Sequence, residues 1–349
     1  MRIAIVADAC DPPTNGVIRT LRTLTACLEA EGHRVLLVLP PGFLSVPCPS
    51  QPDIRLAIAP WPRLRRLIDD FRPEAVHVAT EGPLGIAARR LCLKRGWPFT
   101  TMFTSKFAET IHARLRIPVG LTWAALRWFH APATRTMVAT DSLRAELAAR
   151  GFRDLATCAR GVDTTLFRPR ADADLGLPRP VSLYVGRVAP EKSVEDFLRL
   201  DLPGTKVVVG DGPDRARLEA AYPEAVFAGT QRGEDLARHY AAADLFVFPS
   251  RTDTFGLVVL EALASGLPVA AYPVTGPVDI IGGTDAGVLD DNLQKAAVAA
   301  LAIPRDRPRR LAETFSWEKV TQQFLAALAP IPSRLGAASR DAPATSAIR

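Results

Sequence analysis

Apolar and polar positions along the chain alternate in a repeating rhythm, clearest between residues 244 and 271. An apolar run, DLFVFPS, leads to a polar loop at residues 251–254, and FGLVVLEALAS follows with helical spacing. Gly266 stands where a helix C-terminal cap belongs, and a second strand is predicted from Leu267. Strand, loop, helix and strand in that order predict a parallel α/β sheet. The chain opens the same way: a strand over residues 2–7, a polar loop over 8–15, a helix from Gly16 stopped by Gly32, and a strand over 35–39. Further strands are predicted at 54–59, 75–79, 99–103 and 136–139, with helices at 61–71, 84–94, 121–130 and 142–150. Residues 43–52 read as irregular and proline-rich.

Residues 167–180 carry Pro169, Pro178 and Pro180 with little periodic apolar content, which marks a linker. Strands resume at 181–186, with a helix after Lys192, and at 206–210 and 225–228. A turn at 275–277, a short strand at 287–289 and helices at 293–302, 306–314 and 318–328 complete the pattern. The expected division is a first domain at 1–168, a linker at 169–180, a second domain at 181–304, and helices at 305–330 returning toward the first. The Ala/Ser/Pro-rich tail, 331–349, reads as disordered.

With 349 residues, 48% of them hydrophobic, two domains have ample core material. No apolar stretch is long enough to span a bilayer, and the opening MRIAIVADACDPP meets Asp8 and prolines before a signal-peptide core forms. The expectation is a soluble, cytoplasmic protein. Five cysteines without CxxC spacing and five scattered histidines predict neither a disulfide framework nor a metal site. Net charge is divided unevenly: residues 1–165 hold 22 Lys/Arg against 14 Asp/Glu, and the remainder 21 against 23. The positive first half suits an anionic lipid surface or an acidic substrate, and no nucleic-acid-binding motif accompanies it. Residues 61–71, WPRLRRLIDDF, form a basic amphipathic helix that either lies on a membrane or packs its apolar face inward.

Ligands of open α/β sheets sit beyond the carboxyl ends of the strands, where the amino ends of the following helices attract anions. The loop before FGLVVLEALAS is such a place. Gly256 lets an anion approach the amides around Phe255, Gly256 and Leu257, and Asp253 and Glu261 flank the site with seven residues between them. Carboxylates beside a phosphate need hydroxyls to accept from, which a nucleotide sugar supplies. Alternatively Asp253 or Thr254 merely caps the helix. A second strand end carries GRVAPEK, whose Arg187 and Lys192 could neutralise a departing diphosphate. Gly16 stands alone, without the GxGxxG fingerprint of dinucleotide binding.

These stretches resemble retaining glycosyltransferases of family 4, whose GT-B fold sets two Rossmann-like domains with parallel sheets facing a cleft. SRTDTFG followed by LEALASGLPV is most similar to the branch of sulfoquinovosyl- and glycosyl-diacylglycerol synthases and GDP-mannose-dependent mannosyltransferases. The resemblance implies that Arg187, Lys192 and Asp253 carry catalysis. Gly16, Thr254, Phe255, Gly256, Leu257 and Glu261 complete the donor site, with Glu261 on the ribose and Asp253 on the transferred sugar. Gln231 and Arg232 fall where relatives contact the base. Thr104 stands where the family places a donor-facing histidine, and His112 lies eight positions beyond. Where the family signature begins with Glu, this chain has Asp253. The implied reaction moves a sugar from a nucleotide diphosphate to a membrane lipid such as diacylglycerol or a glycolipid, without a cofactor or metal. The Asp-x-Asp at Asp172 and Asp174 falls in the linker. Transfer to a polysaccharide or oligosaccharide is the alternative. Nucleotide-sugar epimerisation, and sugar-nucleotide binding without catalysis, are alternatives of other classes.

Overall fold

The computed structural model describes residues 1–8, 16–48, 51–104, 118–251 and 255–332. Asp253, Thr254 and His112 lie outside the described residues, as does the tail beyond residue 332.

In the first half, strands β1 (Arg2–Val6), β2 (Arg34–Val38), β5 (Ala75–Val78), β6 (Thr100–Met102), β7 (Arg135–Val138) and β8 (Leu155–Thr157) form one sheet. Their spatial order is β2-β1-β5-β6-β7-β8, and every pair is parallel. A parallel sheet covered by helices on both faces must be apolar on both, and β1 is: Ile3 and Ile5 face one core layer, Ala4 and Val6 the other. The first layer is filled from α1 (Gly16–Ala30), and the second from α2 (Trp61–Phe71) and α3 (Pro83–Arg95). Helices α4 (Val119–His130) and α5 (Asp141–Ala149) complete this half.

The second half repeats the plan with β9 (Val181–Val185), β10 (Thr205–Val209), β11 (Val226–Gly229), β12 (Leu245–Phe248), β13 (Val269–Ala271) and β14 (Gly287–Leu289). These six are also all parallel, in the order β11-β10-β9-β12-β13-β14. Leu183 and Val185 enter one core layer and Tyr184 the other, the period of two again setting the faces. Each fully buried aliphatic side chain here contributes roughly 1.5–3 kcal/mol. The connecting helices are α6 (Val194–Leu198), α7 (Arg215–Ala221), α8 (Gly233–Ala242), α9 (Leu257–Ala264), α10 (Pro277–Ile281) and α11 (Leu293–Ala300). Gly266 ends α9 at φ +77°, and the Leu267 N–H bonds back to the Ala262 carbonyl at 2.9 Å, the six-to-one closure a left-handed residue permits.

The last two helices part company. Helix α12 (Asp306–Ala312) stays with the second half, where Arg309 donates to the Ala264 carbonyl at 2.8 Å. Helix α13 (Trp317–Ala327) enters the first core through Val320, Phe324 and Ala327. Arg135 donates to the Ala326 carbonyl at 2.7 Å, and Ala75 bridges to Pro330.

Several elements differ from the sequence pattern, among them α7, which occupies residues 215–221 where no helix was predicted. Residues 43–52 are not irregular throughout: β3 (Ser45–Cys48) and β4 (Gln51–Ala57) form an antiparallel hairpin apart from the main sheets. Strand β8 was not expected, because three half-buried edge residues carry no alternation. The turn predicted at 275–277 runs into α10, only five residues long and started by Pro277.

Candidate active site

Each sheet has a topological switch point, where consecutive crossovers leave in opposite directions and open a crevice at the strand ends. In the first sheet it lies between β1 and β5, and in the second between β9 and β12. The described residues that follow these strands include ones singled out by the sequence: Gly16 after β1, Arg187 and Lys192 after β9, and Phe255 and Gly256 after β12.

After β9, the Tyr184 hydroxyl donates to the Arg187 carbonyl at 2.8 Å and shapes the turn. The turn also rests on the neighbouring loop, since Val188 N–H bonds to the Asp211 carbonyl at 2.9 Å. A Cβ at Gly212 would meet the Val188 carbonyl oxygen at 2.2 Å, so the two loops pack as only glycine allows. The exposed Arg187 guanidinium lies 3.5 Å from Glu191, and Lys192 ends a 3-10 turn, Pro190–Lys192. Both cations thus stand on a buttressed loop at the strand end.

After β12, Arg251 stacks over the Tyr272 ring at 3.8 Å, and its guanidinium lies 3.5 Å from Asp196. The Tyr272 hydroxyl donates to the same Asp196 at 2.9 Å. Beyond the undescribed residues 252–254, Phe255 and Gly256 are buried, and Gly256 takes φ +88° to start α9. Among the described residues no side chain caps that helix end, and Leu257 begins the helix with no acidic residue in its first turn. The amino end of a helix carries partial positive charge and N–H donors suited to an anion.

Glu261 lies one turn further into α9 and is buried. Its carboxylate accepts from the Tyr240 hydroxyl at 3.0 Å and from Arg19, which belongs to the other half. Burial pushes the Glu261 carboxyl above its ordinary range, and Arg19 and Tyr240 counter part of that push. Burial, followed by the nearby Glu261 charge, raises the Tyr240 phenol well above its usual value.

On the opposite wall, the amino end of α1 meets the amino end of α9: a Cβ placed on Gly16 would sit 3.5 Å from Leu257 Cδ1. Asp8 closes β1 and caps α3, accepting the Leu84 and Gly85 N–H groups at 2.8 and 3.0 Å. Burial raises its carboxyl pKa against those bonds. Thr104 is buried just past β6. Next to it, Phe103 packs 6.0 Å from the His130 ring, and His130 bridges Thr101 at 2.8 Å and Glu81 at 3.2 Å. A second link between the halves joins the Ser142 hydroxyl to Asp279 at 2.5 Å. Gln231 and Arg232 follow the edge strand β11, two strands from β9, where Gln231 donates to the Ala228 carbonyl at 2.7 Å.

The structure therefore gathers Gly16, Leu257, Gly256 and Glu261 at one seam and sets Arg187 and Lys192 on the loop of the adjacent strand β9. The sequence reading missed Arg19, Tyr240, His130 and Asp279. Arg19 alone carried a signal: a cation one turn into a helix opposes the macrodipole and calls for an anion from elsewhere.

Two family models match in tandem, Glycosyltransferase Family 4 over residues 14–166 and Glycosyl transferases group 1 over 179–306. The GDP-mannose-dependent alpha-mannosyltransferase of Mycobacterium tuberculosis is 33% identical, covering 93% of this chain and 95% of its own. The sulfoquinovosyl transferase of Arabidopsis thaliana is 33% identical over 72% of this chain and 52% of its own. Sucrose-phosphate synthase from Thermosynechococcus elongatus shares the fold, with a TM-score of 0.78 at 22% identity over 93% of this chain and 97% of that one. Two Rossmann-like halves that meet at their switch points make this a GT-B glycosyltransferase working from a nucleotide sugar. The chain belongs to glycosyltransferase family 4, and it is a hexosyltransferase.

Proposed function

We propose that the protein transfers mannose from GDP-mannose, with retention, to a hydroxyl of a membrane lipid at an anionic bilayer surface, and needs no metal ion. The carrying observation is the apposition of the two helix amino ends at Gly16 and Leu257, with the loop of Arg187 and Lys192 following β9, the strand beside β12. Those groups stabilise the leaving diphosphate with fixed positive charge that does not reorganise during reaction. Glu261 takes the ribose hydroxyls and Asp253 those of the mannose, while Gln231 and Arg232 stand toward the base. Thr104 takes up the place beside the sugar with a shorter, uncharged donor. The acceptor hydroxyl attacks from the face the phosphate leaves, and a phosphate oxygen takes its proton. Closure of the two halves excludes water and protects the donor from hydrolysis.

GDP-mannose as donor is supported by three GDP-mannose-dependent relatives. The names of those relatives specify alpha-mannosyl transfer, and an α-linked product from an α-linked donor is retention. The lipid acceptor is supported by the surface of the first half. Leu121 is 64% and Trp128 55% exposed on α4, and Arg89 lies over the Trp128 ring at 4.0 Å. Nearby, Arg90 and Lys94 sit over Trp61 at 5.4 and 5.1 Å, and α2 turns Arg63, Arg65 and Arg66 outward while burying Leu64 and Ile68. Aromatic rings interleaved with arginine fit the headgroup region of a bilayer. Among the described residues no helix is long and apolar enough to cross it.

Incubation of GDP-mannose with phosphatidylglycerol vesicles containing diacylglycerol, in EDTA, tests the whole reading. A mannosyl-lipid found by mass spectrometry, with α configuration by NMR, is expected. Mannosylation of a soluble oligosaccharide alone overturns the lipid acceptor, and a strict need for Mg²⁺ overturns the metal-free mechanism.

A further inference from the structure

Arg19 stands in the first turn of α1, where a helix carries partial positive charge and a cation is out of place. Its guanidinium reaches Glu261 on the far wall. The pair is lopsided: the Glu261 side chain is 2% exposed and that of Arg19 45%. Burial and Tyr240 fix the carboxylate, whereas the arginine keeps solvent on one side and a long flexible stem.

We propose that Arg19 is a donor-positioning residue with two stations: Glu261, where it is seen here, and the donor diphosphate once ribose hydroxyls replace it on Glu261. This rests on the donor reading above. A buried carboxylate stripped of its partner is costly, so Arg19 leaves only when other donors arrive. The vicinal ribose hydroxyls are two such donors, and they address the same oxygens. The released guanidinium then needs an anion within reach. Arg19 lies about 4.5 Å along the helix axis from Gly16, whose end of α1 already touches Leu257 at the phosphate-binding end of α9. There it adds a third cation to Arg187 and Lys192, and a planar guanidinium can hold two phosphate oxygens at once. A ligand carrying both ribose and diphosphate supplies both halves of the exchange. A nucleoside alone displaces Arg19 and offers it nothing.

Calorimetric titration of guanosine and GDP, with uridine/UDP and adenosine/ADP as parallel pairs, reads this directly on wild type, Arg19→Ala and Arg19→Lys. In Arg19→Ala the diphosphate is expected to weaken while the nucleoside holds or tightens, so the affinity ratio between them falls by about tenfold or more. Arg19→Lys keeps the charge without the fork and recovers part of the ratio. An unchanged ratio in Arg19→Ala, whatever its thermal stability, overturns the second station and leaves Arg19 a clasp between the halves. If Arg19→Ala does not fold, Arg19→Gln carries the same readout. Failure of wild type to bind any of the three diphosphates overturns the donor reading itself, and the proposal with it.

Discussion

Replacing Glu261 by Gln separates function from stability at one atom. The carboxylate is buried, and its folded-state pKa is raised, with burial the largest cause. A group whose pKa rises on folding contributes stability below its unfolded pKa and loses it as pH climbs through the folded value. At neutral pH the ionised form therefore costs the fold something, and a neutral amide of the same shape removes that cost. Gln keeps one acceptor oxygen for Arg19, and its amide NH₂ can donate to the Tyr240 hydroxyl, which lies 3.0 Å from the carboxylate in the native protein and accepts in place of donating. The lost ion pair weighs little, because Arg19 is 45% exposed and water screens its charge. Melting temperature should hold within about 2 °C or rise, since ~1 kcal/mol moves a protein of this size by only a few degrees. Transfer should fall. Two ribose hydroxyls bonded to a carboxylate are each worth about 1.5–3 kcal/mol, and a neutral acceptor keeps roughly half of that. The difference, ~1.5–3 kcal/mol, lowers kcat/KM by about 10- to 150-fold. Differential scanning fluorimetry with initial-rate kinetics measures both. A melting point lowered by several degrees with unchanged kcat/KM would refute the assignment and make Glu261 a structural carboxylate.

Lys192→Ala and Arg187→Ala should each lower kcat by about 10²–10³ with circular dichroism unchanged, because each removes fixed charge beside the diphosphate. Gly256→Ala forces a side chain into φ +88°, with its Cβ 3.3 Å from Val259 Cγ2. It should cost ~1–2 kcal/mol in urea denaturation and weaken donor binding as well. Burial, aided by the Arg160 charge, pushes the His77 imidazole from 6.5 down to about 3. A pKa lowered on folding gives stability above the unfolded value that is lost as pH falls between those two. Stability measured at pH 7 and pH 5 should drop more in wild type than in His77→Leu.

The sheets were legible because buried parallel strands alternate with helices stopped by glycine, as at Gly32, Gly151 and Gly266, and all three sit at positive φ. The site was partly legible. Glu261 betrayed itself as an acid inside an apolar helix, and GRVAPEK as a charged loop at a strand end. Arg19 and Tyr240 were not, since their meaning lies in contacts 242 and 21 residues away along the chain. His130 was hidden likewise: its partner Glu81 is 49 residues distant, on the loop after β5. Strand β8 and α10 are too short for periodicity to speak.

The central claim is that the donor binds across both switch points, and amide hydrogen exchange with and without GDP tests it most directly. Simultaneous protection of residues 16–20, 186–193 and 255–261 is the predicted result. Protection confined to one half, or absent from the amino end of α9, would contradict the account.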